Sequence, residues 1–242
     1  MHKKKLTARK KAELEKKRKQ KIIKTVCILV LAAVLLAAGT FLIVRNYDAI
    51  RARIENSGRT LLTPVDEETL LDKKSGTYYR LAPPQYEPAE KGEARAWSPA
   101  LDDRVFYAIG DADPALWLAE EYAATGTRVY YNQSIELPTL EELHPDRIRV
   151  IDTSHVIASE VAVVTDEALI AEALDLFFTA EDKQHPFEWD FRLDLKLCSS
   201  EWPEIVYNLT YYDTEEGAYL MDRKSLRSVF LGTLLRDAIN YQ

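Results

Sequence analysis

The chain is poor in the residues that most catalytic chemistry draws on. It has two cysteines in 242 residues. Cys27 lies in an apolar run near the N-terminus and Cys198 in an acidic stretch far beyond it, so no intrachain disulfide is expected. Without a CxxC pair, neither a zinc ribbon nor a thioredoxin-type site can be built. Histidine occurs four times, and no HExxH spacing sets two imidazoles on one helix face. There is no GxSxG elbow and no DxDxDG loop, which leaves serine hydrolase and EF-hand readings without their frames. The GDAD stretch, Gly110 to Asp113, offers one glycine and two aspartates. A phosphate cradle needs several glycines and would be repelled by those carboxylates, so this reads as a loop with Asp113 as a cap. No cofactor and no metal site is expected.

What is abundant is charge, unevenly placed. Residues 1–24 carry twelve Lys/Arg against Glu13 and Glu15, and the remainder carries twenty against 37 Asp/Glu. The halves therefore stand at +10 and -17, within an overall -7. Between them Thr25 to Val44 gives twenty uncharged residues, enough at ~1.5 Å rise per residue to cross a hydrocarbon core. Ala37-Ala38-Gly39 imitates the end of a cleavable signal, but Phe41 to Val44 continue the apolar run where a signal would turn polar. An uncleaved anchor is expected, with its basic flank in the cytoplasm and the acidic body outside. The basic head has few apolar residues and no aromatic. Lys16, Lys17, Arg18, Lys19, Lys21 and Lys24 are candidates for contact with anionic lipid headgroups, and nucleic acid is not an expected partner.

The expected organisation is a basic tail over 1–21, a membrane helix over 22–44, a juxtamembrane region over 45–99, and a globular domain over 100–242. The last could divide into 100–145 and 146–242. Tyr47, Ile50 and Ile54 recur at helical spacing. Thr63-Pro64 followed by Asp66 and Glu67, with Gly76 beyond, predicts a short helix. Pro83, Pro84, Pro88 and Pro99 predict an extended linker. Strands are predicted at RVFYAIG and TRVYYN with a helix, DADPALWLAEEYAATG, between them as a β-α-β unit. RIRVID and VAVVT read as strands, and DEALIAEALDLFF reads as a helix capped by Thr165. In EWDFRLDLKLC, Trp189, Phe191, Leu193, Leu195 and Leu197 alternate with charged residues, a long strand with one wet face. EIVYNLTYYD, AYLMD and LRSVFLG continue it as an antiparallel meander, and TLLRDAINYQ reads as a closing helix. The expected fold class is α+β: one N-terminal transmembrane helix, then an extracytoplasmic domain with a mainly antiparallel sheet and helices on it.

Asp152, Ser154 and His155 bring a carboxylate, a hydroxyl and an imidazole into one short stretch, and His185 could join them as a second imidazole. The acidic pairs Glu67-Glu68, Glu120-Glu121, Glu141-Glu142 and Glu215-Glu216 read as solvated surface. Tyr130, Tyr131, Tyr207, Tyr211, Tyr212 and Tyr219 suit sugar or peptide contact, though strands also favour aromatics for packing. The function expected from this balance is a membrane-anchored binding module for a protein, peptide or envelope component outside the cytosol. The alternatives are an envelope-facing hydrolase using Asp152, His155 and His185, and a structural subunit of a membrane complex.

Overall fold

The computed structural model describes residues 2–122, 126–155, 158–184, 186 and 188–239. It divides into two compact units, 1–57 and 58–242. The first is helical. Helix α1 spans His2–Arg45, so the basic head and the apolar bar form one 44-residue helix, about 66 Å long. Its Ile23–Arg45 portion is long and apolar enough to cross a membrane by length and composition, and none of it is buried. A signal sequence passes the same test. Asn46 interrupts the helix, its side-chain amide donating to the Leu42 carbonyl at 2.8 Å, and α2 follows over Tyr47–Glu55. Asn56 ends α2 in the same way, on the Ala52 carbonyl at 2.7 Å.

The second unit is built mostly of strands: β1 (Thr60–Pro64), β2 (Thr69–Asp72), β3 (Thr77–Leu81), β4 (Tyr86–Pro88), β5 (Lys91–Ser98), β6 (Arg104–Ile109), β7 (Trp117–Tyr122) and β8 (Gly126–Asn132). Seven of these close into a barrel in the order β1-β2-β3-β8-β7-β6-β5. Its pairs are antiparallel except for the closing one, where β1 and β5 run parallel with Thr60 opposite Ala96. Leu62, Leu70, Tyr79, Ala96, Phe106, Leu118 and Tyr130 fill the barrel. Phe106 meets Tyr130 edge-on at 5.5 Å between centroids. Leu101, in a 3-10 turn over Pro99–Leu101, packs against this core.

The remaining strands are β9 (Arg147–Asp152), β10 (Ser159–Val164), β11 (Phe191–Cys198), β12 (Ile205–Thr214), β13 (Gly217–Met221) and β14 (Ser228–Gly232). They form an antiparallel sheet ordered β10-β9-β11-β12-β13-β14, with β4 paired to the start of β12. Helix α3, Glu167–Thr179, lays Ile170, Ala173 and Phe177 on this sheet. Asp166 caps its start by accepting from the Ala168 and Leu169 N–H groups. Its other end is held by Arg227, whose guanidinium donates to the carbonyls of Phe177, Phe178 and Ala180 at 2.7, 3.2 and 2.6 Å. A short helix α4, Arg236–Ile239, is tied down by the Arg236–Asp213 ion pair. Barrel and sheet share a core, because Trp117, Ala119, Val129 and Tyr131 point out of the barrel into the cluster that contains Leu193, Leu195 and Tyr211.

Several expectations are corrected. The domain is mostly sheet with helices, as expected, but seven strands form a closed barrel instead of joining a single antiparallel sheet. Residues 63–76 form strands and turns, not a helix: Asp66 accepts from the Glu68 N–H at 2.9 Å in a tight turn, and Thr69–Asp72 is paired on both sides. The proline-rich 82–99 stretch contains β4 and β5 instead of a linker. Within the helix expected at 111–126, residues 111–116 form turns, Trp117–Tyr122 is β7, and 123–125 lie outside the described residues. Here Trp117, Leu118, Ala119 and Glu120 are all buried, since one face of β7 fills the barrel and the other meets the sheet. A strand buried on both faces shows no alternation to read. Glu120 is therefore not solvated surface: its side chain is 0% exposed and pairs with Arg104 of β6 at 2.5 Å. The α3 cap is Asp166 where Thr165 was expected. Trp189 precedes β11 instead of lying in it, and packs on Tyr212 at 5.1 Å. Cys27 and Cys198 are free, and burial pushes the Cys198 thiol up from its ordinary range.

Candidate functional site

The β-rich unit carries a cleft of about 1550 Å³, lined by residues of both the barrel and the sheet. One wall is the β1–β2 turn, with Asp66, Glu67 and Glu68, together with Arg80 and Leu81 at the end of β3. The chain leaves the barrel there through Ala82-Pro83-Pro84-Gln85 and reaches β4. Gln133 and Ile135 to Leu140 also line the cleft. Tyr86, Tyr131 and Tyr207 line it from β4, β8 and β12, and Lys224 adds a cation.

Local chemistry fixes each part. In the 133–140 wall, Thr139 and Glu142 form a reciprocal capping pair: the Thr139 N–H and hydroxyl donate to Glu142 Oε2 at 2.9 and 3.0 Å. The Glu142 N–H donates back to Thr139 Oγ1 at 3.3 Å. Those hydrogen bonds hold the Glu142 carboxyl below its ordinary range, the Thr139 N–H first. Leu140 and Leu143 are buried beneath this turn, and the Tyr86 hydroxyl donates to the Pro138 carbonyl. Tyr86 and Tyr207 meet edge-on at 5.1 Å. The Tyr207 hydroxyl donates to Asp222 Oδ2 at 3.2 Å, and buried Asp222 also receives the Ser225 hydroxyl and the Lys224 N–H.

The field on this tyrosine pair is negative. Burial first, then Asp222 and Glu142, push the Tyr86 phenol up to about 12. Burial and Asp222 likewise raise Tyr207. On the rim, the Glu68 N–H and the Thr69 hydroxyl hold the Asp66 carboxyl low, and nearby Arg80 adds to this. The lining contains carboxylates, side-chain amides, tyrosine rings and prolines, and no Ser, Cys or His.

The residues singled out from the sequence fall elsewhere. Asp152 ends β9 and is buried; its Oδ1 accepts the Ser154 N–H at 2.7 Å and its Oδ2 lies 3.9 Å from His155 Nε2. His155 is 78% exposed, and none of these three lines the cleft. His185 lies outside the described residues. Among the described residues, no group of three His, Cys, Asp or Glu side chains is placed to hold a metal ion. At GDAD, Asp113 Oδ1 accepts the Ala115 N–H at 2.8 Å and caps a turn. Lys16, Arg18, Lys19, Lys21 and Lys24 are exposed on α1, while the Lys17 side chain lies outside the described residues. Of the six tyrosines noted in the sequence, Tyr130, Tyr131, Tyr207, Tyr211 and Tyr212 are buried. Sequence reasoning missed Tyr86, Gln85 and Arg80, which sit in stretches read as linker or passed over. Glu67-Glu68 was noted, without its place on a cleft.

No protein-family model, no curated protein and no solved structure matches this chain.

Proposed function

We propose that this chain is a single-pass, membrane-anchored binding module. The apolar portion of α1 stays in the cell membrane, the basic head faces the cytoplasm and anionic headgroups, and the acidic β-rich unit works outside the cytosol. The +10 and -17 charges on either side of the apolar run support that orientation. The ligand is an extended peptide segment seated in the cleft between barrel and sheet.

One observation carries this reading: a large cleft between barrel and sheet whose lining offers carboxylates, side-chain amides and tyrosines and contains no Ser, Cys or His. Its volume of about 1550 Å³ exceeds the ~300–1,000 Å³ usual for small-molecule pockets and suits a chain laid along a groove. The test is direct. The full chain in lipid nanodiscs is panned against a random peptide library, in parallel with Gln133→Trp. Gln133 is exposed on the cleft wall, so an indole there occupies the groove without disturbing the core. Enriched peptides should lose binding to Gln133→Trp. Enrichment that survives the substitution unchanged would place the ligand elsewhere.

A further inference from the structure

We infer that the barrel opens at the seam between β1 and β5, with Thr60–Leu61 as a strap that lifts from β5 while the rest of β1 stays in place. Around the barrel, one row of register partners runs Thr60, Ala96, Phe106, Glu120 and Arg128. Within it Ala96, Phe106 and Glu120 are each paired on both sides. Among the described residues, β1 is held differently: Thr60 and Leu61 pair only with β5, and Leu62, Thr63 and Pro64 pair only with β2. Leu61 is exposed and Thr60 half-buried, so lifting them uncovers little apolar surface of their own. Leu62, buried in the barrel core, keeps the remainder of the strand in place. The seam is also parallel, and parallel pairing is slightly weaker per residue than antiparallel.

A separate observation lies beside the seam. Ser98 follows Trp97, the partner of Leu61, and shares the inward face of β5 with Ala96. It is fully buried, and its Oγ has no hydrogen-bond partner. An orphaned hydroxyl destabilises the closed barrel and regains its hydration when the seam opens. Connectivity gives the strap its place in the chain. Helix α2 ends at Glu55 and β1 begins at Thr60, so the strap is where the chain coming from the apolar helix enters the barrel. None of Thr60, Leu61, Ala96, Trp97 and Ser98 lines the cleft, so the inference stands apart from the binding reading.

The test is thiol labelling of the full chain in nanodiscs, in a background of Cys27→Ala and Cys198→Ala. Ala96→Cys and Ser98→Cys each probe the seam, and Ala119→Cys on β7, likewise buried, is the reference. Local opening should label both seam positions at least about tenfold faster than position 119, at rates that stay flat in urea below the unfolding transition. Thr60→Gly loosens the strap and should speed labelling at position 96 by about two- to fivefold, with position 119 unchanged. Ser98→Ala in the Ala96→Cys chain removes the orphaned hydroxyl and should slow labelling by at least about fivefold. Tryptophan fluorescence checks that each variant is folded, and if Ala96→Cys is not, Ser98→Cys with Thr60→Gly supplies the readout. One common rate at all three positions that climbs with urea overturns the inference, as does seam labelling indifferent to Thr60→Gly and Ser98→Ala.

Discussion

Arg104→Ala is the sharpest probe of how this barrel is held. Its partner Glu120 has a side chain that is 0% exposed, with Oε1 at 2.5 Å from the guanidinium and Oε2 without a hydrogen-bond partner. Removing one member of a buried ion pair leaves the other charge uncompensated in a medium that solvates it poorly, at roughly 3–5 kcal/mol. Arg104 is itself a third exposed, so the lower end, about 3 kcal/mol, is the expected loss. All four tryptophans, Trp97, Trp117, Trp189 and Trp202, lie in the β-rich unit, so tryptophan fluorescence in nanodiscs reports its unfolding alone. With a urea slope of about 2 kcal/mol per M, the midpoint should fall by more than about 1 M. The double variant Arg104→Met/Glu120→Leu should recover most of that loss, because a matched apolar pair needs no charge compensation. The exposed pair Lys91–Glu121, at 2.9 Å, supplies the contrast: Lys91→Ala should cost less than about 1 kcal/mol. An Arg104→Ala loss no larger than the Lys91→Ala loss, or a double variant no better than the single, would refute the burial argument.

Three further outcomes follow from the same structure. Gly217→Ala should destabilise by about 2–3 kcal/mol, since its φ is +149° and a new Cβ would lie 2.6 Å from the Phe230 ring. Phe230→Ala in that background should restore part of the loss in the same urea assay. Arg227→Ala removes donors from three carbonyls at the end of α3 and should cost about 1–3 kcal/mol, with faster amide exchange in the last turn of that helix. Tyr79, Tyr86 and Tyr130 have phenols pushed up to about 12, burial being the first cause for each. A raised phenol favours the folded state fully below the unfolded value of about 10, and that contribution is lost as pH rises towards 12. Absorbance titration near 295 nm should show late-titrating tyrosines together with falling stability between those limits; a full tyrosine change complete near pH 10 while the fold persists would contradict it.

How much was legible depended on how many faces each strand shows to water. Phe191 to Cys198 could be read because Arg192, Asp194 and Lys196 mark a wet side, and DEALIAEALDLFF because one face of α3 meets the sheet. The partners EIVYNLTYYD, AYLMD and LRSVFLG followed from short turns. Where a strand is enclosed, the pattern fails: WLAEEY places Leu118 and Glu120 inside the barrel and Trp117 and Ala119 against the sheet, so its spacing mimics a helix. Thr63-Pro64 with Asp66 mimics a helix start because the same residue types also make tight turns. Closure of the barrel depends on β1 meeting β5, a parallel contact that no local signal encodes. The cleft was hidden for a related reason. Its walls come from 66–69, 80–86, 131–140 and 207, stretches that only the packing of barrel against sheet brings together, and its rim glutamates look like any exposed acidic pair.

The central claim is a cleft that opens outside the cytosol and binds there. Gln133→Cys, made in a chain with Cys27→Ala and Cys198→Ala, allows one measurement of both properties. In intact cells or spheroplasts a membrane-impermeant maleimide should label position 133 at once, and a saturating peptide enriched from the library should slow that labelling. Labelling that appears only after lysis would contradict the orientation, and labelling indifferent to the peptide would contradict the cleft as a binding site.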